Sequence, residues 1–341
     1  MLGLNRTRHA LRRLRNRFTT RGLILTYHRI AEVHSDPWRL AVSPRHFAEQ
    51  LDVLRKYGQV MRLPQMASWL ERRSLPSRAI ALTFDDGYLD SLTDARPLLE
   101  RFESPATVFV ISGGLGEQQN LWWDELEGLF LQPGSLPPTL ALTIEGVTYS
   151  WNLGDVAHWS SEDCSTYRSW KAWEDPPTTR HMIYFKLWDV LRKLDEKERV
   201  RVFKELRAWA QIKPSRASAA RLSIEQTVEL SRGGLIEIGA HSVTHPMLAA
   251  LPVASQRAEI QQSKSALEEI VGQSVESFAF PYGNYAPETV SLVRETGFKQ
   301  ACSVVAALAR KGCSRFELPR VQIQNWDGEV FARQLAKYFS A

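Results

Sequence analysis

Two short segments of the 341-residue sequence set side chains suited to acid–base and metal chemistry directly after apolar runs. In the first, Thr83-Phe84-Asp85-Asp86-Gly87-Tyr88, an apolar strand pattern ends in paired carboxylates and a glycine. The second, His241-Ser242-Val243-Thr244-His245-Pro246, follows the apolar run 236–240. Two histidines four residues apart on a helical turn project from one face and can share a cation. A carboxylate from another strand end would complete a His2Asp set. Three protein ligands leave a coordination position open, which distinguishes a catalytic zinc-type site from a closed structural one. Taken singly, each segment has a plainer reading: a turn with solvated acids, or a helix cap next to a surface histidine. Their common placement at carboxyl ends of predicted strands, where barrel enzymes carry their chemistry, favours a shared site.

The elements that would position these residues alternate along the chain. Residues 22–28, 79–84, 106–111, 236–240, 277–280 and 299–304 read as strands. Residues 43–57 (Ser43 as cap, Pro44 in the first turn), 92–102, 254–271 and 287–296 read as helices. Strands separated by helices of this length predict an α/β fold with a parallel sheet or barrel. The rhythm breaks over 113–221, which holds eight of the eleven tryptophans and reads as a large insertion. Within it, 139–151 suggests a hairpin and 180–210 one or two helices. Most of these tryptophans are expected to be core residues, although tryptophan faces also stack on sugar rings.

With 44% hydrophobic residues, the chain has ample material for a core, which excludes a disulfide-stapled miniature and a disordered tail. The net charge of +5 comes from residues 1–21, where seven arginines meet no acid; the rest carries 36 basic against 38 acidic residues. This basic arm, 1–22, suits peripheral contact with anionic lipid headgroups or a solvated extension. Its single aromatic offers little for base stacking, so nucleic acid is not an expected partner. Leucines interrupted by arginine give no secretory apolar core, and three cysteines without metal-ligand spacing fit a reduced compartment; a cytoplasmic location is expected.

TFDDG followed by HSVTH resembles the NodB-homology polysaccharide deacetylases, carbohydrate esterases that remove N-acetyl groups from amino sugars. The resemblance covers residues 23–112 and 222–325. It implies a distorted (β/α) barrel over 23–341 interrupted by the insertion 113–221. It also implies Asp85 as general base, and Asp86, His241 and His245 as ligands of a divalent ion, zinc first, with cobalt, manganese or nickel as alternatives. Phe278-Ala279-Phe280-Pro281-Tyr282-Gly283 is similar to the family's next motif, whose aromatic N–H faces the developing oxyanion; here that is Tyr282. Many members carry an arginine before the proline that pairs with the base. This chain has Ala279 and Phe280 there, and Arg320 is the candidate replacement, with an exposed strand-end arginine as the alternative.

The family's late Leu-x-His motif is also absent, since no histidine follows His245. Leu25-Thr26-Tyr27-His28-Arg29 resembles the opening strand of a permuted branch, in which an early histidine serves as general acid; that role would fall to His28, with a buried structural histidine as the alternative. The expected substrate is an N-acylated amino sugar of a polysaccharide, a lipid-linked glycan or their precursor. A deformylase, an O-acyl esterase, or a weakened carbohydrate-binding module are the rival readings.

Overall fold

The computed structural model describes residues 18–19, 21–72, 75–116, 120–211 and 220–340, so most of the basic arm lies outside the described residues. Among the described residues one curled nine-stranded sheet carries seven parallel strands, β1 Arg21–Tyr27, β2 Ala79–Phe84, β3 Ala106–Val110, β4 Ile236–Ala240, β5 Ser277–Ala279, β6 Gln300–Cys302 and β7 Val321–Gln322, with Gln59–Val60 added parallel to β2 and Ala309–Arg310 antiparallel to β1. Their spatial order is β6-β5-β4-β3-β2-β1, with β7 beside β1. All six residues of β2 are buried, as expected of strands covered on both faces. A single parallel bridge between Cys302 and Leu318 joins the β6 edge to the segment that continues into β7, and this closes the distorted barrel.

Local chemistry explains the element ends. Ser43 Oγ accepts the His46 N–H and Pro44 opens the helix Pro44–Tyr57, which buries Phe47, Leu51 and Leu54. The predicted helix over 92–102 begins instead as a π-helical stretch, Ser91–Ala95, before the α-helix Arg96–Arg101. Pro97 has no N–H to donate to the carbonyl of Thr93, which loosens the turn at this point. The strand expected over 299–304 shortens to Gln300–Cys302, because the Ser303 carbonyl leaves the ladder to accept Arg320 Nε–H at 2.9 Å.

A second compact unit comprises Gly114–Arg221 together with Glu32–Leu40. Trp38 ties the short segment to it, donating its indole N–H to the Tyr184 hydroxyl at 2.9 Å and stacking on Trp188 at 4.0 Å. The hairpin Thr139–Ile144 and Val147–Asn152 turns through Glu145 and Gly146, both at positive φ, and buries Leu140, Leu142 and Ile144. Two helices follow, Thr179–Leu191 and Glu196–Ala210. Arg180 is fully buried, its guanidinium donating to the carbonyls of Val156, Phe130, Gly134 and Ala157. Trp123, Trp159 and Trp170 are buried, and Trp122, Trp151, Trp188 and Trp209 pack on this unit's core; Trp173 is exposed.

Near the amino-terminal end of β4, Glu237 accepts the Ser277 hydroxyl at 2.6 Å. Burial raises its pKa to about 7, the nearby Glu276 adding to the rise, while the Ser277 hydrogen bond and Arg62 oppose it. The native state therefore holds a proton that the unfolded chain releases near its ordinary value of 4.5, so stability falls as pH climbs through that interval. Glu237→Gln is expected to match the parent near pH 4 and to exceed it by about 1–3 kcal/mol at pH 8. Urea denaturation at the two pH values measures this; equal differences at both would contradict it.

Candidate active site

The register of the parallel strands brings the chemistry-bearing residues to one end of the barrel. β1 pairs with β2 as far as Tyr27 opposite Phe84, so His28 and Asp85 leave adjacent strand ends. The Asp85 N–H donates to the Tyr27 carbonyl at 3.0 Å, and the His241 N–H to the Val110 carbonyl at 3.0 Å. The loops then turn sharply. Asp86, Gly87, Ser242, His245 and Tyr282 all have positive φ, between 56° and 75°. At Gly87 a side chain would also press on Val110, with a Cβ 3.1 Å from Cγ1. Left-handed backbone at non-glycine residues costs of order 1–3 kcal/mol each and is characteristic of functional loops.

The His241–His245 segment is not the helical turn expected from its spacing. Left-handed Ser242 and His245 fold it into an irregular loop that nonetheless brings the rings together. The loop is held by Ser242 and by a glutamate from a distant helix. Ser242 Oγ accepts the His245 N–H at 3.0 Å. Glu259, on the helix Val253–Val271, accepts the N–H groups of Val243 and Thr244 at 2.8 and 2.9 Å, and the Thr244 hydroxyl at 2.8 Å. A glutamate on a polar helix face carries no local signal for this role; only the folded loop reveals it.

Asp86, His241 and His245 are buried and converge. His241 Nε2 and His245 Nε2 each lie 3.5 Å from Asp86 Oδ1, and 3.2 Å from each other. The Ala279 carbonyl can only accept, so the 2.8 Å contact fixes the proton of His241 on Nδ1 and leaves the Nε2 lone pair facing the cluster. Tetrahedral coordination with bonds of ~2.0–2.1 Å would separate ligand atoms by ~3.3–3.4 Å, close to the spacing found. Two imidazole nitrogens and a carboxylate oxygen at this spacing fit a divalent cation such as zinc.

Asp85 faces Arg320. The guanidinium donates from Nη1 to Oδ1 at 2.7 Å and from Nη2 to Oδ2 at 2.8 Å, a bidentate pair with both side chains almost inaccessible. Arg320 is in turn held by the Ser303 carbonyl, by Thr83 Oγ1 at 3.2 Å and by the Phe109 ring beneath it. Gly239 makes room for that ring, since a Cβ there would lie 2.5 Å from Phe109 Cδ1. Burial pushes the Asp85 pKa up, but the Arg320 charge, His241 and the Arg320 hydrogen bonds outweigh it and hold the carboxyl at about 2. Of the two residues before Pro281, Ala279 offers only its carbonyl to His241, and Phe280 stacks on Tyr285 at 4.5 Å. The Tyr282 ring packs against His245 at 4.4 Å.

His28 is partly buried, with Nδ1 inaccessible and without a hydrogen-bond partner. Burial lowers its pKa to about 4; Asp85 opposes the shift and Arg320 and His241 reinforce it, so the imidazole is neutral at pH 7 in the ion-free chain. The structure thus groups His28, Asp85, Asp86, His241, His245, Tyr282 and Arg320 at one barrel end. Because Glu259 orders the backbone between the two histidines, Glu259→Ala is expected to weaken zinc binding about 10–100-fold. Competition against a chromophoric chelator measures this, and an unchanged affinity would contradict it.

A polysaccharide deacetylase family model matches residues 72–132 and 186–301, together just over half of the chain. A Bacillus subtilis protein named "Putative polysaccharide deacetylase YxkH" is 32% identical over 106 residues, which are 30% of this chain and 37% of that protein. The match therefore spans little more than a third of that relative's length. Among solved structures, IcaB from Ammonifex degensii is 21% identical with a TM-score of 0.58, covering 94% of this chain and 97% of its own. The Streptococcus pyogenes deacetylase PplD, solved in complex with acetate, is 18% identical with a TM-score of 0.57, over 92% and 98% of the two chains. These structures share the fold, and the family model covers more than half of the chain, in two stretches that run into the tryptophan-rich region to 132 and again from 186 rather than stopping at its edges, so the chain belongs to the polysaccharide deacetylase family.

Proposed function

We propose that the protein is a metal-dependent hydrolase that removes an N-acyl group, N-acetyl in the first instance, from an amino sugar of a polysaccharide, glycolipid or their precursor. The observation that carries this reading is the convergence of Asp86, His241 and His245 beside an Asp85 engaged by Arg320. Asp86, His241 and His245 would hold a divalent ion, zinc by the chemistry of the donor set; when bound it supplies Lewis acidity that acidifies water and polarises an acyl oxygen. Asp85 accepts the proton of the attacking water, and Arg320 keeps its carboxylate ionised and fixed in direction. The Tyr282 peptide N–H serves the developing oxyanion, a donor whose loss typically costs ~3–4 kcal/mol.

His28 passes a proton to the departing amine. Since burial keeps its ring neutral at rest, the proton it delivers must arrive during turnover, and the one Asp85 has taken up is at hand. Amide and water are thereby converted to a carboxylic acid and a free amine. The six arginines of residues 6–17 would act as a peripheral contact with anionic lipid on the cytoplasmic side, bringing carrier-linked glycans within reach, whereas Arg21 belongs to β1 and donates to the Phe339 carbonyl. No helix among the described residues is long and apolar enough to cross a membrane.

The test is mass spectrometry of N-acetylated and N-formylated glucosamine oligomers incubated with zinc-loaded protein. New free amines matched by released acetate support the reading, formate in place of acetate supports the deformylase alternative, and neither product with any amide overturns both.

A further inference from the structure

The barrel ladder stops holding the β1 strand at the residue where His28 is needed. Tyr27 is the last residue of β1 paired with β2. Beyond it the chain departs, and Arg29–Ile30 pairs with Ala41–Val42 in a separate two-stranded sheet. His28 Nδ1 has no hydrogen-bond partner, so no bond from that atom sets the ring's direction. What ties the departing segment to the catalytic loop is Asp90. Its Oδ1 accepts the Ile30 N–H at 2.9 Å and its Oδ2 accepts Arg29 Nε–H at 3.1 Å. The Arg29 and Asp90 side chains are only 11% and 9% exposed, and the guanidinium also lies over the Tyr88 ring, 5.0 Å from its centre. Both residues following His28 are therefore clamped to the stretch that begins with Asp85 and Asp86.

We propose that Asp90, through Arg29 and the Ile30 amide, is a positioning residue that fixes His28 where it can protonate the leaving amine. The inference rests on the role of His28 given above. It accounts for a general acid supplied from the first strand of the barrel at the point where the ladder ends, since the Asp90 contacts hold the backbone that carries His28 beside Asp85. Asp90 touches neither substrate nor ion in this arrangement, so its effect should follow the demand for a general acid. An amide needs its nitrogen protonated to leave, whereas a 4-nitrophenolate leaves unaided.

The experiment uses the zinc-loaded full chain with two substrates, an N-acetylglucosamine oligomer and 4-nitrophenyl acetate. Asp90→Asn, which keeps an oxygen for the Ile30 amide, is expected to lower kcat on the amide about 10- to 100-fold with KM little changed. The same variant should spare the aryl ester. In the His28→Ala background, Asp90→Asn should cause no further loss on the amide, because both changes remove one function. Asp90→Ala repeats the test with the clamp removed entirely, and Asn alone carries it should the alanine variant not fold. Equal losses on both substrates, multiplicative losses in the double variant, or an unchanged kcat would each overturn the proposal. A His28→Ala variant with parental kcat on the amide would overturn it together with the His28 role, whereas additive losses overturn the Asp90 role alone.

Discussion

Asp85→Asn is expected to lower kcat for amide hydrolysis by about 10²–10⁴-fold while the protein still binds zinc with parental affinity. The carboxylate lies beside the candidate ion ligands and is held ionised by Arg320, so it is placed to take a proton and is not needed to hold the cation. Asparagine keeps the shape and an acceptor oxygen for the guanidinium but has no basic site. Steady-state kinetics with acetate detection, alongside zinc titration, measures both halves of the expectation. Loss of zinc binding in this variant would place Asp85 among the ligands and refute the division of labour between the two adjacent aspartates.

Arg320→Met should destabilise the fold by about 3–5 kcal/mol, the usual cost of leaving one member of a buried pair uncompensated. Arg320 and Asp85 are 2% and 3% exposed, so water cannot replace the lost partner. The double variant Asp85→Asn with Arg320→Met removes both charges and should recover most of that loss, because the penalty comes from the stranded charge more than from the missing attraction. Chemical denaturation of the two single variants and the double completes the cycle. Additive losses would show that the two side chains are stabilised by other contacts and that Arg320 is no partner of Asp85.

The parallel strands were legible because their apolar runs are nearly unbroken, as in β2, and end in turn-forming polar residues. Asp85, Asp86, His241 and His245 could be named for the same reason: they follow such runs directly. The geometry joining them could not. The spacing of His241 and His245 suggested a helical turn, whereas the rings meet across an irregular loop set by Ser242, the left-handed His245 and the Glu259 carboxylate from a distant helix. A carboxylate that bonds backbone amides 15 and 16 positions away leaves no periodic trace. Arg320 could be nominated only by the absence of an arginine before Pro281; its contact with Asp85 depends on the closure between β6 and β7, which rests on isolated pairings too short to carry a strand pattern. The attachment of Glu32–Leu40 to the tryptophan-rich unit was equally invisible, since it depends on Trp38 meeting Tyr184 and Trp188 across a long stretch of sequence.

Asp86, His241 and His245, three residues from two distant loops, are placed to hold one divalent ion. Calorimetric titration of the metal-free full chain with zinc decides whether they do. One equivalent is expected to bind per chain, lost on substitution of Asp86, His241 or His245 by alanine and retained in Asp85→Asn. Undiminished zinc binding after any of those three alanine substitutions would contradict it.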